Sequence, residues 1–333
     1  MAQTDASTLP SSVGFIGLGL MGKPMVENLA KKLPQGSRIH VHDVVTSVVD
    51  ELCAAHPDTI IRGTSARDVT EKADVIFTML PEGRHVKTVF LDPDTGILPG
   101  LLSSPSSAGK VVIDSSTIDT ATSLHVKDQL AASSPQTSFY DAPVSGGVLG
   151  AVKGTIAFFL GASHRDTNVP RLVPLLQLMG GKVIPCGGPS LGLAAKLSNN
   201  YLSGIITIAT SEAMDMGMRA GIDADVLASV FAAGTAQNAI CDTFCPVPRV
   251  CPDAPSSKGY KGGFRVQLMR KDFGLALDMA RRVGSRNILG APGFGVYSAA
   301  SDAPDCKDLD SRVVFRYIGG NENWKKRDSE QVD

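Results

Sequence analysis

The sequence predicts an α/β protein: a doubly wound, mainly parallel sheet with helices on both faces, then an all-helical C-terminal domain reached through one long helix. Three observations predict it. Residues 13–25 read VGFIGLGLMGKPM, an apolar run that breaks into Gly17, Gly19 and Gly22 and resumes with helix formers. Short apolar runs then alternate with helix-like stretches, the pattern of a parallel sheet built from crossover units. From Gly192 onward strand signals fade and long helical patterns replace them.

The first strand and helix carry the most information. Gly17 permits a tight turn, Gly19 lets the backbone approach a pyrophosphate, and Gly22 lets the helix pack closely on the strand. Leu18, Leu20 and Met21 complete the loop. The helix beyond it offers unpaired N–H groups to phosphate, and Pro24 suits its first turn, where no N–H is needed. With 34 glycines in 333 residues the spacing alone is weak. It gains weight from residues 38–43, a second apolar-alternating strand that ends in Asp43, about 20 residues past the last glycine, where a ribose-binding carboxylate belongs. Asp43 would accept hydrogen bonds from the adenosine ribose and repel a 2′-phosphate, so NAD is expected rather than NADP. His40 and His42 are expected at the strand surface. Together these features predict a Rossmann-like, NAD-binding domain over residues 13–187.

Further strands are expected at 74–80, 110–114 and 138–142, separated by helices at 82–91 and 119–132. Strand-like stretches at 155–160 and 182–185 suggest that the sheet extends past six strands. Residues 103–107 read as a Ser/Pro-rich surface loop. A helix over 192–220 would be about 40 Å long at about 1.5 Å per residue, enough to connect two domains. A helical substrate and oligomerisation domain is expected over 188–320, with a clear helix at 265–283 and a Pro-rich loop at 245–255 lying over a surface or cleft. Polar tails are expected at 1–12 and 321–333. Ligands of open α/β sheets sit beyond the carboxyl ends of the strands, so substrate is expected between the domains.

Composition narrows the function classes. Hydrophobic residues make up 43% and charged ones 20%, enough apolar content for sizeable cores. A formal net charge of −1 provides no footprint for nucleic acid or an anionic membrane, and the basic cluster at 325–327 falls in a polar tail. The six cysteines are scattered; Cys241, Cys245 and Cys251 lie close together without a CxxC or a following histidine at zinc-site spacing. Reduced thiols and no metal site are expected. The uncharged stretch 197–211 is too short to span a bilayer. Residues 1–12 contain Asp5 and no arginine, matching neither a secretory signal nor a typical mitochondrial presequence.

Three clusters could carry chemistry: residues 114–117 (DSST), residues 141–147 (DAPVSGG), and Lys196 with Asn200. The last two share a helical face by their i,i+4 spacing, a stripe that Ser203 and Thr207 continue. A lone lysine followed by the uncharged stretch 197–211 is either a buried functional amine or one that snorkels to solvent. Ser115 and Ser116 read equally as turn residues, and Asp114 reads as structural.

The phrases GFIGLGLMGKPM, DSSTID, DAPVSGG, GLAAKLSNN and LMRKDFGLAL, in this order, resemble the β-hydroxyacid dehydrogenase family across nearly the whole chain; DTFCPVPRV and GYKGGF narrow the likeness within it. The resemblance implies a homodimer or homotetramer, an NAD-linked oxidation of a short 3-hydroxy acid, and suggests a mitochondrial setting. It implies that Lys196 passes a proton to and from the substrate oxygen and that Asn200 holds the substrate beside it. Ser145, Gly146 and Gly147 would bind the substrate carboxylate, with Ser115 nearby. Leu80, Pro81, Thr117 and Lys271 would contact the cofactor, and Asp272 would organise the site. His85 stands where these enzymes usually carry asparagine near the nicotinamide side. An NADPH-linked reductase and a non-catalytic dinucleotide-binding scaffold are the competing readings; the presence of Lys196 disfavours the scaffold.

Overall fold

Strand β1 (Ser12–Ile16) is buried along nearly its whole length, as a continuous apolar run in a parallel sheet requires. The computed structural model describes residues 9–104 and 109–324. The chain divides into two units, one ending at Lys196 and the other starting at Leu197.

In the first unit β1 is followed by α1 (Gly22–Lys32), β2 (Arg38–His42), α2 (Thr46–Ala55), β3 (Ile60–Arg62), α3 (Ala66–Lys72) and β4 (Val75–Thr78). Next come α4 (Gly83–Leu91), α5 (Ile97–Ser103), β5 (Val111–Asp114), α6 (Thr120–Ser133) and β6 (Ser138–Asp141). These strands form one parallel sheet in the order β3-β2-β1-β4-β5-β6. The order reverses direction between β1 and β4, which is where such a sheet opens a crevice for a ligand. Successive residues of β1 serve opposite faces. Phe15 joins Phe77, Met25, Leu29 and Leu175 in one core, while Ile16 joins Ile76, Val69, Val86 and Val126 in the other. Phe15 and Phe77 stack at a centroid separation of 5.8 Å.

The expected extension of this sheet does not occur. β7 (Val144–Ser145), β8 (Ile156–Leu160) and β9 (Gly180–Pro185) form a separate three-stranded sheet, in which β7 runs antiparallel to β8 and β8 parallel to β9. Pro143, with no N–H to give to a ladder, separates β6 from β7; its carbonyl accepts from Phe159 N–H at 2.9 Å. Helices α7 (Gly147–Lys153) and α8 (Val169–Gln177) lie between these strands in the chain.

His40 is the other correction. It is buried rather than exposed, because α3 packs over that part of β2. Burial, reinforced by the Lys72 charge, holds its imidazole pKa down. His42 is half-buried, with Nδ1 3.3 Å from Gly63 O. Of the Ser/Pro-rich loop only Ser103 and Ser104 are described; the rest, the basic cluster at 325–327 and most of the N-terminal tail lie outside the described residues.

Helix α9 (Leu191–Arg219) contains the division between the units. The second unit continues with α10 (Ala224–Ala233), α11 (Ala239–Thr243), α12 (Val266–Arg282), α13 (Gly290–Asp302) and α14 (Val314–Tyr317). One of its cores gathers Tyr260, Val266, Phe273, Tyr297 and Val313; another gathers Met214, Leu227, Cys245, Val247, Phe315 and Trp324. The Pro-rich segment is thus partly internal. Its carbonyls are satisfied there, Pro246 O by the Tyr260 hydroxyl at 2.9 Å and Pro248 O by Trp324 Nε1 at 2.8 Å. No helix among the described residues is long and apolar enough to cross a membrane.

Candidate active site

The glycine loop after β1 is shaped for close approach. Gly17 has φ +96°, and a Cβ there would collide with the carbonyl oxygen of Met79 at the end of β4. A Cβ on Gly22 would collide with Gly17 O, while the Gly19 position faces open space. Leu18 is buried, Leu20 is exposed and Met21 is half-buried. The first turn of α1 has no acidic residue and no side-chain cap; Lys23 N–H already reaches Gly19 O at 3.1 Å and Met25 N–H reaches Met21 O at 3.3 Å, so what the turn offers an anion is chiefly the positive end of the helix dipole. Asp43, just past β2, accepts from Leu18 N–H through Oδ2 at 2.6 Å and from Val45 N–H through Oδ1 at 2.7 Å. Each of its oxygens retains a lone pair for a ribose hydroxyl. The tight turn, the open glycine, the positive helix end and the carboxylate together fit a dinucleotide.

The ends of β4 and β5 are tied together by Asp114. Its Oδ1 accepts from the Thr78 hydroxyl at 2.7 Å, from the Ser116 hydroxyl at 2.5 Å and from Ser116 N–H at 3.1 Å. Ser116 Oγ in turn accepts from Leu80 N–H at 2.8 Å. This chain of bonds sets the path of Leu80 and Pro81 beside the glycine loop and gives Ser116 a structural task. Asp114 is fully buried, which pushes its carboxyl up to about 6 against the pull of its donors. Ser115 differs from its neighbour: its hydroxyl is buried with no hydrogen-bond partner among the described residues. Thr117 is half-buried, and His85 sits in the first turn of α4 with an unpartnered, buried Nδ1.

The DAPVSGG segment ends in two exposed glycines with left-handed backbone, Gly146 at φ +132° and Gly147 at φ +61°. Consecutive amides in such conformations form an anion-binding concavity, and Ser145 adds a half-buried hydroxyl. The aspartate that opens the segment had no role of its own in the sequence reading. Asp141 is buried; its Oδ1 accepts from Ser190 N–H at 2.7 Å and its Oδ2 from Leu193 N–H at 2.8 Å, both at the start of α9. Burial holds its pKa up while these amides oppose the shift. Lys196 lies in the second turn of the same helix and is 7% exposed, so it does not snorkel.

In the second unit Asn200, Lys271 and Asp272 come together. Asp272 Oδ2 accepts from Asn200 Nδ2 at 2.7 Å, and its Oδ1 pairs with Lys271 Nζ at 3.2 Å. Asn199 Nδ2 donates to Asn200 Oδ1 at 3.2 Å. The amide of Asn200 is therefore fixed in orientation, with one N–H left for a ligand. Sequence reasoning included Asp141 in a cluster without assigning its role, and missed Asn28. The latter donates from α1 to Pro24 O and to Ala151 O of α7, at 2.9 and 2.8 Å; nothing in its local sequence signals a partner 123 residues away.

Residues 12–188 match the family described as the NAD binding domain of 6-phosphogluconate dehydrogenase, and residues 191–318 that described as the NAD-binding domain of NADP-dependent 3-hydroxyisobutyrate dehydrogenase. A probable mitochondrial 3-hydroxyisobutyrate dehydrogenase of Dictyostelium discoideum is 37% identical, covering 94% of this chain and 92% of its own. An NAD-dependent L-serine dehydrogenase of Pseudomonas aeruginosa is 38% identical over 86% of this chain and 90% of its own. Among solved structures, Mycobacterium tuberculosis 3-hydroxyisobutyrate dehydrogenase with L-serine superposes with a TM-score of 0.82 at 33% identity, covering 92% of this chain and 98% of that one.

Proposed function

This chain belongs to the β-hydroxyacid dehydrogenase family, and from that premise we propose that it oxidises 3-hydroxyisobutyrate to methylmalonate semialdehyde, a step of valine breakdown. It is an NAD-dependent 3-hydroxyacid dehydrogenase; the substrate and the residue roles are the proposal. The observation that carries them is the burial of Lys196 on the helix that Asp141 ties to the dinucleotide-binding unit.

When bound, NAD⁺ supplies the hydride acceptor. The chain's own residues then have to hold the acid and move one proton. The Ser145 hydroxyl and the amides of Gly146 and Gly147 take the substrate carboxylate, with Ser115 offering its unpartnered hydroxyl. Lys196 Nζ, entering as the neutral amine, takes the hydroxyl proton as the carbinol hydrogen leaves; in the reverse direction the ammonium returns it. Asn200, oriented by Asp272, steadies the oxygen that loses the proton. The glycine loop, Leu80, Pro81, His85, Thr117 and Lys271 hold the cofactor, and Asp43 selects NAD by repelling a 2′-phosphate. Assembly as a homodimer or homotetramer belongs to the same reading, as does a mitochondrial location, which the name of the Dictyostelium relative carries.

L-Serine is the second reading, favoured by the similarity to the Pseudomonas L-serine dehydrogenase. The two acids share a primary alcohol at C3 and differ at C2, methyl against ammonium. A methyl-sized difference in a pocket is worth about 1–3 kcal/mol, so the expected preference over 3-hydroxypropionate, which lacks the methyl, is about 10- to 100-fold in kcat/KM, while L-serine would bring a charge that a methyl-binding pocket has to desolvate. NAD⁺ reduction measured with 3-hydroxyisobutyrate, L-serine and unbranched 3-hydroxypropionate decides between them. Equal or better turnover of L-serine overturns the valine-pathway assignment and leaves the family intact. Equal kcat/KM for NAD⁺ and NADP⁺ overturns the role of Asp43.

A further inference from the structure

The start of α9 is capped in an unusual way. A helix begins with N–H groups that have no partner in their own helix, and a residue at the helix start normally accepts from them. Here Ser190, immediately before the helix, has φ +64° and turns its hydroxyl to Thr120 O at 3.3 Å. The cap comes instead from Asp141, 49 residues earlier, whose two oxygens take Ser190 N–H and Leu193 N–H separately. The fit allows no slack. A Cβ on Gly161 would overlap Asp141 Oδ1, and a Cβ on Gly192 would overlap Phe159 O and lie 2.8 Å from Asp141 Oδ2. Gly161 N–H also donates to Asp141 O at 2.7 Å, so backbone and side chain of one residue fasten two segments. Both bonds from the carboxylate are charge-assisted, the stronger kind.

Asp141 stands four residues before Ser145 and clamps a helix turn that lies three residues before Lys196. We infer that Asp141 is a positioning residue: it fixes the distance between the amine that moves the proton and the segment that holds the substrate carboxylate. This rests on Lys196 being the proton carrier. A displacement of about 1 Å at a reacting group costs on the order of 100-fold in rate, and a helix start released from its cap is free to shift by that much.

The test is Asp141→Asn, which keeps the shape but sets an amide NH₂ against one of the two helix N–H groups. The expected result is a loss of 10- to 100-fold in kcat, with NADH Kd changed less than twofold and a larger primary isotope effect on C3-deuterated substrate. Val126→Ala, a core truncation in α6, provides a control for stability loss alone and is expected to leave kcat within twofold. If Asp141→Asn loses no more kcat than that control while Lys196→Ala loses 100-fold, the positioning role is overturned and the proton carrier stands. If Lys196→Ala also keeps its rate, the reading beneath it has failed. Hydrogen exchange in the unmodified protein checks the clamp independently of any variant: the Ser190 and Leu193 amides are expected to exchange at least 100-fold slower than the open-chain rate, and unprotected amides overturn it.

Discussion

Lys196 and Asp114 are both buried and titratable, and they ask for opposite experiments. Lys196→Ala removes a positioned acid–base group, which typically contributes about 10²–10⁴-fold. The expected outcome is a loss of at least 100-fold in kcat/KM with NADH affinity retained, read by steady-state kinetics and fluorescence titration. For Asp114 the prediction concerns stability. Burial pushes its carboxyl up to about 6, from an ordinary 3.8, so between those values the folded chain keeps a proton that the unfolded chain releases. Stability from this group is therefore greatest below about pH 4, declines as pH rises to about 6, and is flat above. Asp114→Asn removes that decline, so in urea denaturation the stability at pH 7.5 minus that at pH 4.5 should be more positive for the variant than for the parent. An unchanged difference would clear Asp114 of the effect. The sequence singled out Lys196 because it is the one charged residue in the first five turns of its helix, and the structure adds that it is buried. His40 was misplaced because its surroundings depend on α3, a seven-residue helix with no strong pattern of its own.

At the level of elements, the strands that run buried through both faces were readable, with ends displaced by a residue or two. Those whose existence depends on a partner, such as the three-residue β3 and two-residue β7, were not. The separate second sheet was hidden, since strand signals at 155–160 and 182–185 say nothing about which sheet they join. Two elements distant in sequence are coupled by Asn28, which links α1 below the glycine loop to α7 behind Gly147. Asn28→Ala removes the donor to both Pro24 O and Ala151 O, the latter keeping Gly154 N–H at 3.2 Å, and at about 0.5–1.5 kcal/mol per bond is expected to cost about 1–3 kcal/mol in urea denaturation. A loss below half of the lower figure would show that water replaces the bond. Gly17→Ala sets a side chain into a φ of +96° and against Met79 O; NADH affinity is expected to fall at least tenfold.

The whole molecule comprises two units with separate cores, and the nucleotide-binding features described above begin in the first. NADH at a hundred times its Kd stabilises the state that binds it by about 2.7 kcal/mol, so calorimetry is expected to show an upward shift of the transition that unfolds the first unit. No shift at saturating NADH would mean that the glycine loop does not hold the nucleotide. The change of character at Gly192 made the helical second unit legible, whereas the inward packing of Cys245 and Val247 was not, because prolines in sequence suggest an exposed loop. Asp43 carries one more consequence, for redesign. The same carboxylate that would meet the ribose also fastens the Leu18 and Val45 amides. An engineer who replaces it to admit NADP unties the loop in the same stroke, so a successful switch has to bring its own acceptor for those two amides.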